Sequence, residues 1–184
     1  LKTVFVISFL FLSVNAAHAL DPIPQEYGFS GFIRAGAGVM SYKSNLVAGN
    51  RVVDLGKKTI DSLTDEPDSK KAGIPSFNYE LAWTFADSRT QVTFGSQLED
   101  IARLEIGQQL AVKQELPDKS IISAGLLLTT VPTEVWEDPY VTGESREETD
   151  RDSMGVRLVY DRIMGSGFEV KYSYRKIEVD DENS

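Results

Sequence analysis

From residue 28 onward, apolar and polar residues alternate with a period of two, in stretches of about ten residues broken by turn-forming residues. Residues 77–86 set Phe77, Tyr79, Leu81, Trp83 and Phe85 on one face and Asn78, Glu80, Ala82, Thr84 and Ala86 on the other. After Asp87-Ser88-Arg89, residues 90–98 return with Val92, Phe94 and Leu98 on the apolar face, which predicts a hairpin. Residues 103–113 align Leu104, Ile106, Leu110 and Val112, with Arg103, Glu105, Gln109 and Lys113 opposite. Residues 121–130 align Ile122, Ala124, Leu126 and Leu128, and residues 154–161 align Val156, Leu158 and Tyr160 against Gly155, Arg157 and Asp161. Residues 168–175 place Phe168, Val170, Tyr172 and Tyr174 against Glu169, Lys171, Ser173 and Arg175. The earliest strand, 28–42, sets Ile33, Ala35, Ala37 and Val39 against Arg34, Gly36 and Gly38.

The pattern predicts seven strands. Connections at 87–89, 114–120 and 162–166 are short, and those at 43–76 and 131–153 are long, polar and charged. Residues 99–102 are a short connection at the long-loop end. Short and long ends alternate as an antiparallel up-and-down meander requires.

Two environments suit such strands. In a soluble sheet or lipocalin-like barrel the apolar face turns into a core. In a membrane barrel it turns out to lipid, and the polar face lines the lumen. Strand length favours the second, because about ten residues at ~3.3 Å each, tilted ~45°, rise roughly 23 Å, close to the ~25 Å apolar band. Soluble strands run nearer 5–6 residues. The unequal connections point the same way, as do Tyr42, Phe77, Phe85, Phe168 and Tyr174 near strand ends, where aromatic girdles sit. The expected fold class is all-β, an antiparallel up-and-down meander forming part of a transmembrane β-barrel.

The start of the chain supplies a route to that membrane. Lys2, the apolar run from Val4 to Leu12 and the small-x-small triplet Ala17-His18-Ala19 have the form of a secretory signal peptide over residues 1–19. The apolar run is shorter than the ~20 residues a spanning helix needs. Residues 20–184 are then expected to be the N-terminal portion of an outer-membrane barrel. An odd strand number and the polar stretch Asp180-Asp181-Glu182-Asn183-Ser184 after the last strand imply that more strands follow. The long loops would face the exterior and the short turns the periplasm.

Composition removes several classes of chemistry. There is no Cys, so disulfide scaffolds, thiol catalysis and Cys-ligated metals are excluded. The one His is His18, inside the expected leader, which leaves no His for a Ser-His-Asp triad or a zinc site. A net charge of −9 argues against nucleic-acid binding. No enzymatic activity, cofactor or metal is expected.

The candidate site residues follow from the faces. Arg34, Glu80, Arg103, Glu105, Arg157, Glu169, Lys171 and Arg175 should point into the lumen. They could form a charged pore lining that selects solutes by field. They could equally fill the interior by pairing across strands, which their mixed signs favour. Trp136 and Tyr140, with Pro132 and Pro139, form a stiff aromatic loop start. It could contact carbohydrate or lipid, fold over the pore as a lid, or anchor at the outer leaflet. Glu144, Glu147, Glu148, Asp150 and Asp152 read as a solvated acidic loop rather than a Ca²⁺ site, since EF-hand spacing is absent and Arg146 and Arg151 intervene. Lys57, Lys58, Lys70 and Lys71 could meet lipopolysaccharide phosphates, although Asp61, Asp65, Glu66 and Asp68 dilute their field.

Several segments carry a resemblance. Leu98-Glu99-Asp100, the run Pro132-Thr133-Glu134-Val135-Trp136-Glu137-Asp138-Pro139-Tyr140 with Thr149-Asp150-Arg151, and Gly165-Ser166-Gly167-Phe168-Glu169 through to Asp180-Asp181-Glu182 resemble an uncharacterised family of Gram-negative outer-membrane proteins, domain of unknown function 2860. The resemblance implies export and a barrel in a longer protein; it implies no activity and transfers no catalytic residue. The function expected is a porin-like channel for small solutes, with outer-membrane lipid and lipopolysaccharide as surroundings. The alternatives are a structural or adhesive barrel with a plugged lumen, or a soluble periplasmic binding barrel.

Overall fold

The structure is a computed structural model that describes residues 4–14, 22–64, 66–67, 69–97, 104–181 and 183. It is all-β, one antiparallel sheet of eleven strands. In chain order these are β1 (Val4–Val14), β2 (Gly28–Lys43), β3 (Val47–Asn50), β4 (Val53–Asp54), β5 (Ser69–Phe85), β6 (Thr90–Gln97), β7 (Ile106–Glu115), β8 (Ile121–Val131), β9 (Thr133–Trp136), β10 (Glu148–Asp161) and β11 (Phe168–Val179). The wall runs β2-β5-β6-β7-β8-β10-β11-β1; from β2 to β11 it is an up-and-down meander, β1 from the start of the chain is added beside β11, and the sheet is not closed among the described residues. No helix among them is long and apolar enough to cross a membrane, which says nothing of strands.

The long strands β2, β5, β6, β7, β8, β10 and β11 are those the alternation predicts. The short β3, β4 and β9 are too brief to show a period and lie inside the stretches read as loops. Val4–Val14, read from sequence as part of an export leader, is a strand here, paired with β11 from Val4↔Glu178 to Val14↔Phe168. A leader core and a strand both accept a run of Val, Ile, Leu and Phe, so the same residues suit either. The triplet Ala17-His18-Ala19 lies outside the described residues, as does the 99–102 connection.

The short turns form where expected. Arg89 (φ 53) closes the β5–β6 hairpin, with its N–H donating to the Ala86 carbonyl at 3.1 Å. Lys119 (φ 69) turns β7 into β8, and the left-handed Arg162 and Met164 turn β10 into β11.

The faces are inverted relative to a soluble sheet. Trp83 and Leu110 are each 47% exposed and Tyr172 39%, while Thr84 on the opposite face is 1% exposed. Asn78, Gln91, Thr93, Ser123 and Arg157 are likewise buried inside. Strands approach closely at inward glycines; a Cβ on Gly155 would overlap the Tyr174 carbonyl oxygen.

Toward the long-loop end the polarity reverses. On β2 the outward apolar series ends at Val39, and Met40 and Tyr42 turn inward while Ser41 and Lys43 face out. On β5, Ala72 and Ile74 face in and Lys71 faces out, whereas from Phe77 onward the apolar residues face out. On β11 the buried Arg175 is followed at the next inward position by the buried, apolar Ile177. Above this level sits the apolar core of Val47, Val53, Leu55 and Leu104, with Met40, Tyr42, Ala72 and Ile74 packed against it. Tyr42 therefore belongs to this core, not to an outer girdle. Leu104 also departs from expectation. It precedes β7 with φ 60 and is buried in the core, not aligned with Leu110 on the outer face.

Candidate functional site

The polar interior and the structure above it form the site. Alternation on β5, β7, β10 and β11 delivers the interior charges, because every second residue must point inward. Lys113 Nζ lies 3.4 Å from Glu80 Oε2, and Lys171 Nζ lies 3.6 Å from Glu169 Oε1. The Arg157 guanidinium donates to Ser173 Oγ at 3.1 Å and to Gln109 Oε1 at 3.3 Å. These groups surround a chamber of about 150 Å³, with Thr93, Ser96 and Ser123 also on its wall.

A second cluster lies one level higher. Glu105 is 1% exposed and accepts hydrogen bonds from Thr129 and Ser153, with Arg175 Nη1 at 3.5 Å. Arg175 also donates to Ser153 Oγ at 3.1 Å. A buried carboxylate with this many donors is fixed in place. At the short-turn end, Arg89 Nη2 reaches Glu115 at 2.5 Å, and Lys119 reaches the same carboxylate at 3.1 Å.

The candidate lining residues thus divide. Glu80, Arg157, Glu169 and Lys171 meet at the chamber, and Glu105 and Arg175 meet above it. Arg34 has the inward register position opposite Asn78, but it lies exposed over the Phe32 ring at 4.3 Å. Arg103 lies outside the described residues. Lys113 and Gln109 complete the chamber although neither stood among the candidates; the period-two pattern places both on that face. Thr129 and Ser153 give no signal in sequence, since ordinary hydroxyls become ligands of Glu105 only through cross-strand register.

The two long loops fold together into a cap at the long-loop end. β8 passes through Pro132 into β9, which pairs on one side with β10 and on the other with β3 from the 43–76 connection. Arg146 fastens the assembly. It is 3% exposed, donates to the carbonyls of Asn45 (2.9 Å) and Lys57, and stacks over Trp136 at 4.2 Å. Its own N–H donates to Lys58 O at 2.8 Å, and the Gly143 N–H donates to Ile60 O at 2.8 Å. Burial holds the Arg146 guanidinium below its ordinary pKa. Two buried donors, Trp136 Nε1 and Arg146 Nε, have no acceptor among the described residues.

This corrects the reading of Trp136. It is buried beneath Arg146, so it is neither a leaflet anchor nor an exposed contact. Tyr140 alone is exposed. Arg146, read as one charge in a solvated loop, is the residue sequence reasoning missed, because its partners are backbone carbonyls far along the chain. The acidic residues keep largely to the surface, Glu148 near Lys58 at 3.8 Å and Asp150 near Arg51 at 3.1 Å. Lys70 reaches into the cap toward the Gly56 carbonyl and Asp54. Among the described residues no group of three or more carboxylates or histidines could hold a metal ion.

A family model described as "Protein of unknown function (DUF2860)" matches residues 28–184. The chain belongs to this family. The match takes in every strand from β2 to β11, and with them both the chamber and the cap. No curated protein and no solved structure matches the chain.

Proposed function

We propose that this DUF2860 chain forms wall and mouth of an outer-membrane β-barrel that passes small polar solutes. One observation carries the reading: apolar side chains face outward and polar ones are buried inside along the middle of the strands, and the order flips toward the cap. A soluble sheet has no reason to bury Arg157 and expose Trp83, Leu110 and Tyr172. A wall that meets hydrocarbon over part of its height, and water above it, requires both the inversion and the flip. β8, of eleven residues, rises roughly 26 Å at ~3.4 Å per residue and ~45° tilt, enough for the ~25 Å apolar band. The apolar run and triplet in residues 1–19 support export.

The test is fractionation followed by recording. Full-length protein should appear with outer membranes, leave them only in detergent, and give steps of conductance in planar bilayers. Extraction in plain buffer would overturn the membrane reading. A second reading has its own support: Glu80, Glu105 and Glu169 each have a cation within 3.6 Å or less, and the cap covers one end. Such an interior suits a plugged barrel that acts through its exterior loops. Folded, membrane-inserted protein without conductance, together with ligand or cell binding lost on deleting residues 141–152, would favour it.

A further inference from the structure

We infer that the chamber between Lys113, Arg157 and Lys171 is a binding constriction for a small oxyanion. The inference rests on the channel reading above and names the solute class. The ionisable residues lining the chamber are Glu80, Lys113, Arg157, Glu169 and Lys171, so cations exceed carboxylates there. The excess stands out in a chain whose net charge is −9. On the level above, Glu105 is matched by Arg175.

The donors are held in place. Arg157 is 7% exposed, and its Nε and Nη1 bonds to Ser173 and Gln109 fix the plane of a guanidinium, whose fork matches the geometry of a carboxylate or phosphate. The hydroxyls of Thr93 and Ser123 add neutral donors on the wall. A space of about 150 Å³ takes a solute of a few heavy atoms with its waters.

The chamber adjoins a larger space on one side. The chamber shares Glu80 and Lys113 with a cavity of about 400 Å³ that reaches Pro22 and Pro24 at the short-turn end. A separate cavity of about 50 Å³ with a mainly apolar lining lies under the cap, among Val53, Ile74 and Leu104. A local excess of cations raises the concentration of counter-ions. Carboxylate solutes and free phosphate share the recognised chemistry, and the experiment separates them.

Full-length protein in detergent is titrated calorimetrically with acetate and, separately, with inorganic phosphate. At least one should bind, and Arg157→Gln should weaken it about tenfold, the size of one hydrogen bond to a charged group. Lys171→Gln should weaken the same anion, and Arg157→Lys should restore part of the loss. Whichever anion binds more tightly identifies the source. If neither binds, or if Arg157→Gln binds both as wild type does while its β-sheet circular dichroism is unchanged, the inference is overturned. Reversal potential in a KCl gradient distinguishes this from failure of the channel reading. Anion preference lost in Arg157→Gln supports the constriction, and conductance that prefers potassium overturns it. Absence of conductance with anion binding intact removes the channel and keeps the site.

Discussion

Replacement of Leu110 by arginine separates the two possible surroundings of the wall. Leu110 is 47% exposed and lies mid-strand on β7, directly between Phe94 and Leu126 in register. If water surrounds that face, an exposed leucine gives way to arginine with a change within about 0.5 kcal/mol. If hydrocarbon surrounds it, a guanidinium at mid-depth costs about 2–4 kcal/mol. A value of ~3 kcal/mol is about two decades in the folding constant. The assay is reversible urea unfolding of full-length protein from lipid vesicles, followed by tryptophan fluorescence. Glu144→Arg, on the exposed loop, is the control and should change stability by less than about 0.5 kcal/mol. Leu110→Arg indistinguishable from that control would refute the assignment of this face to lipid.

Other consequences can be measured alongside. Arg146→Met removes the hydrogen bonds to the Asn45 and Lys57 carbonyls and the contact with Trp136, so the cap should loosen by about 2–3 kcal/mol, seen as faster amide exchange over residues 45–60 and a red-shifted Trp136 emission. Glu105→Gln takes a carboxylate away from Arg175, Thr129 and Ser153 deep in the interior and should lower stability by about 3 kcal/mol in the same unfolding assay. Burial, with Glu148 and Asp150 close by, raises the Glu134 carboxyl above its ordinary 4.5. A raised acid favours the folded state when protonated, so the β9–β10 pairing should be firmest below that ordinary value and weaken as pH climbs through the raised one. Amide exchange in β9 between pH 4 and pH 8 reads this, and Glu134→Gln should flatten the dependence.

The seven long strands from β2 to β11 were legible because their outward face alternates strongly, Phe77 to Phe85 above all. Their upper ends were not. Ser69 to Ser76 was read as loop because Ala72 and Ile74 lie on the face opposite to the one Trp83 uses; a search for one continuous apolar face stops where the polarity flips. The interior charges were legible for the same geometric reason, since Arg157, Glu169 and Lys171 occupy alternate inward positions. The cap was not, because Arg146 acts through carbonyls at Asn45 and Lys57, and Trp136 is buried by residues from another loop. Local pattern carries no information on such distant pairing.

Arg146 joins its carbonyl partners across sequence separations of 101 and 89 residues. The wall can assemble between neighbours, each hairpin adding to the last, but the closure over its mouth must wait until β9 and β10 have been laid down. Loop-closure entropy makes such remote joins late. Each molecule therefore passes through a stage in which it is walled but unroofed. The roofing, like the joining of β1 to β11, should therefore follow the hairpins of the wall.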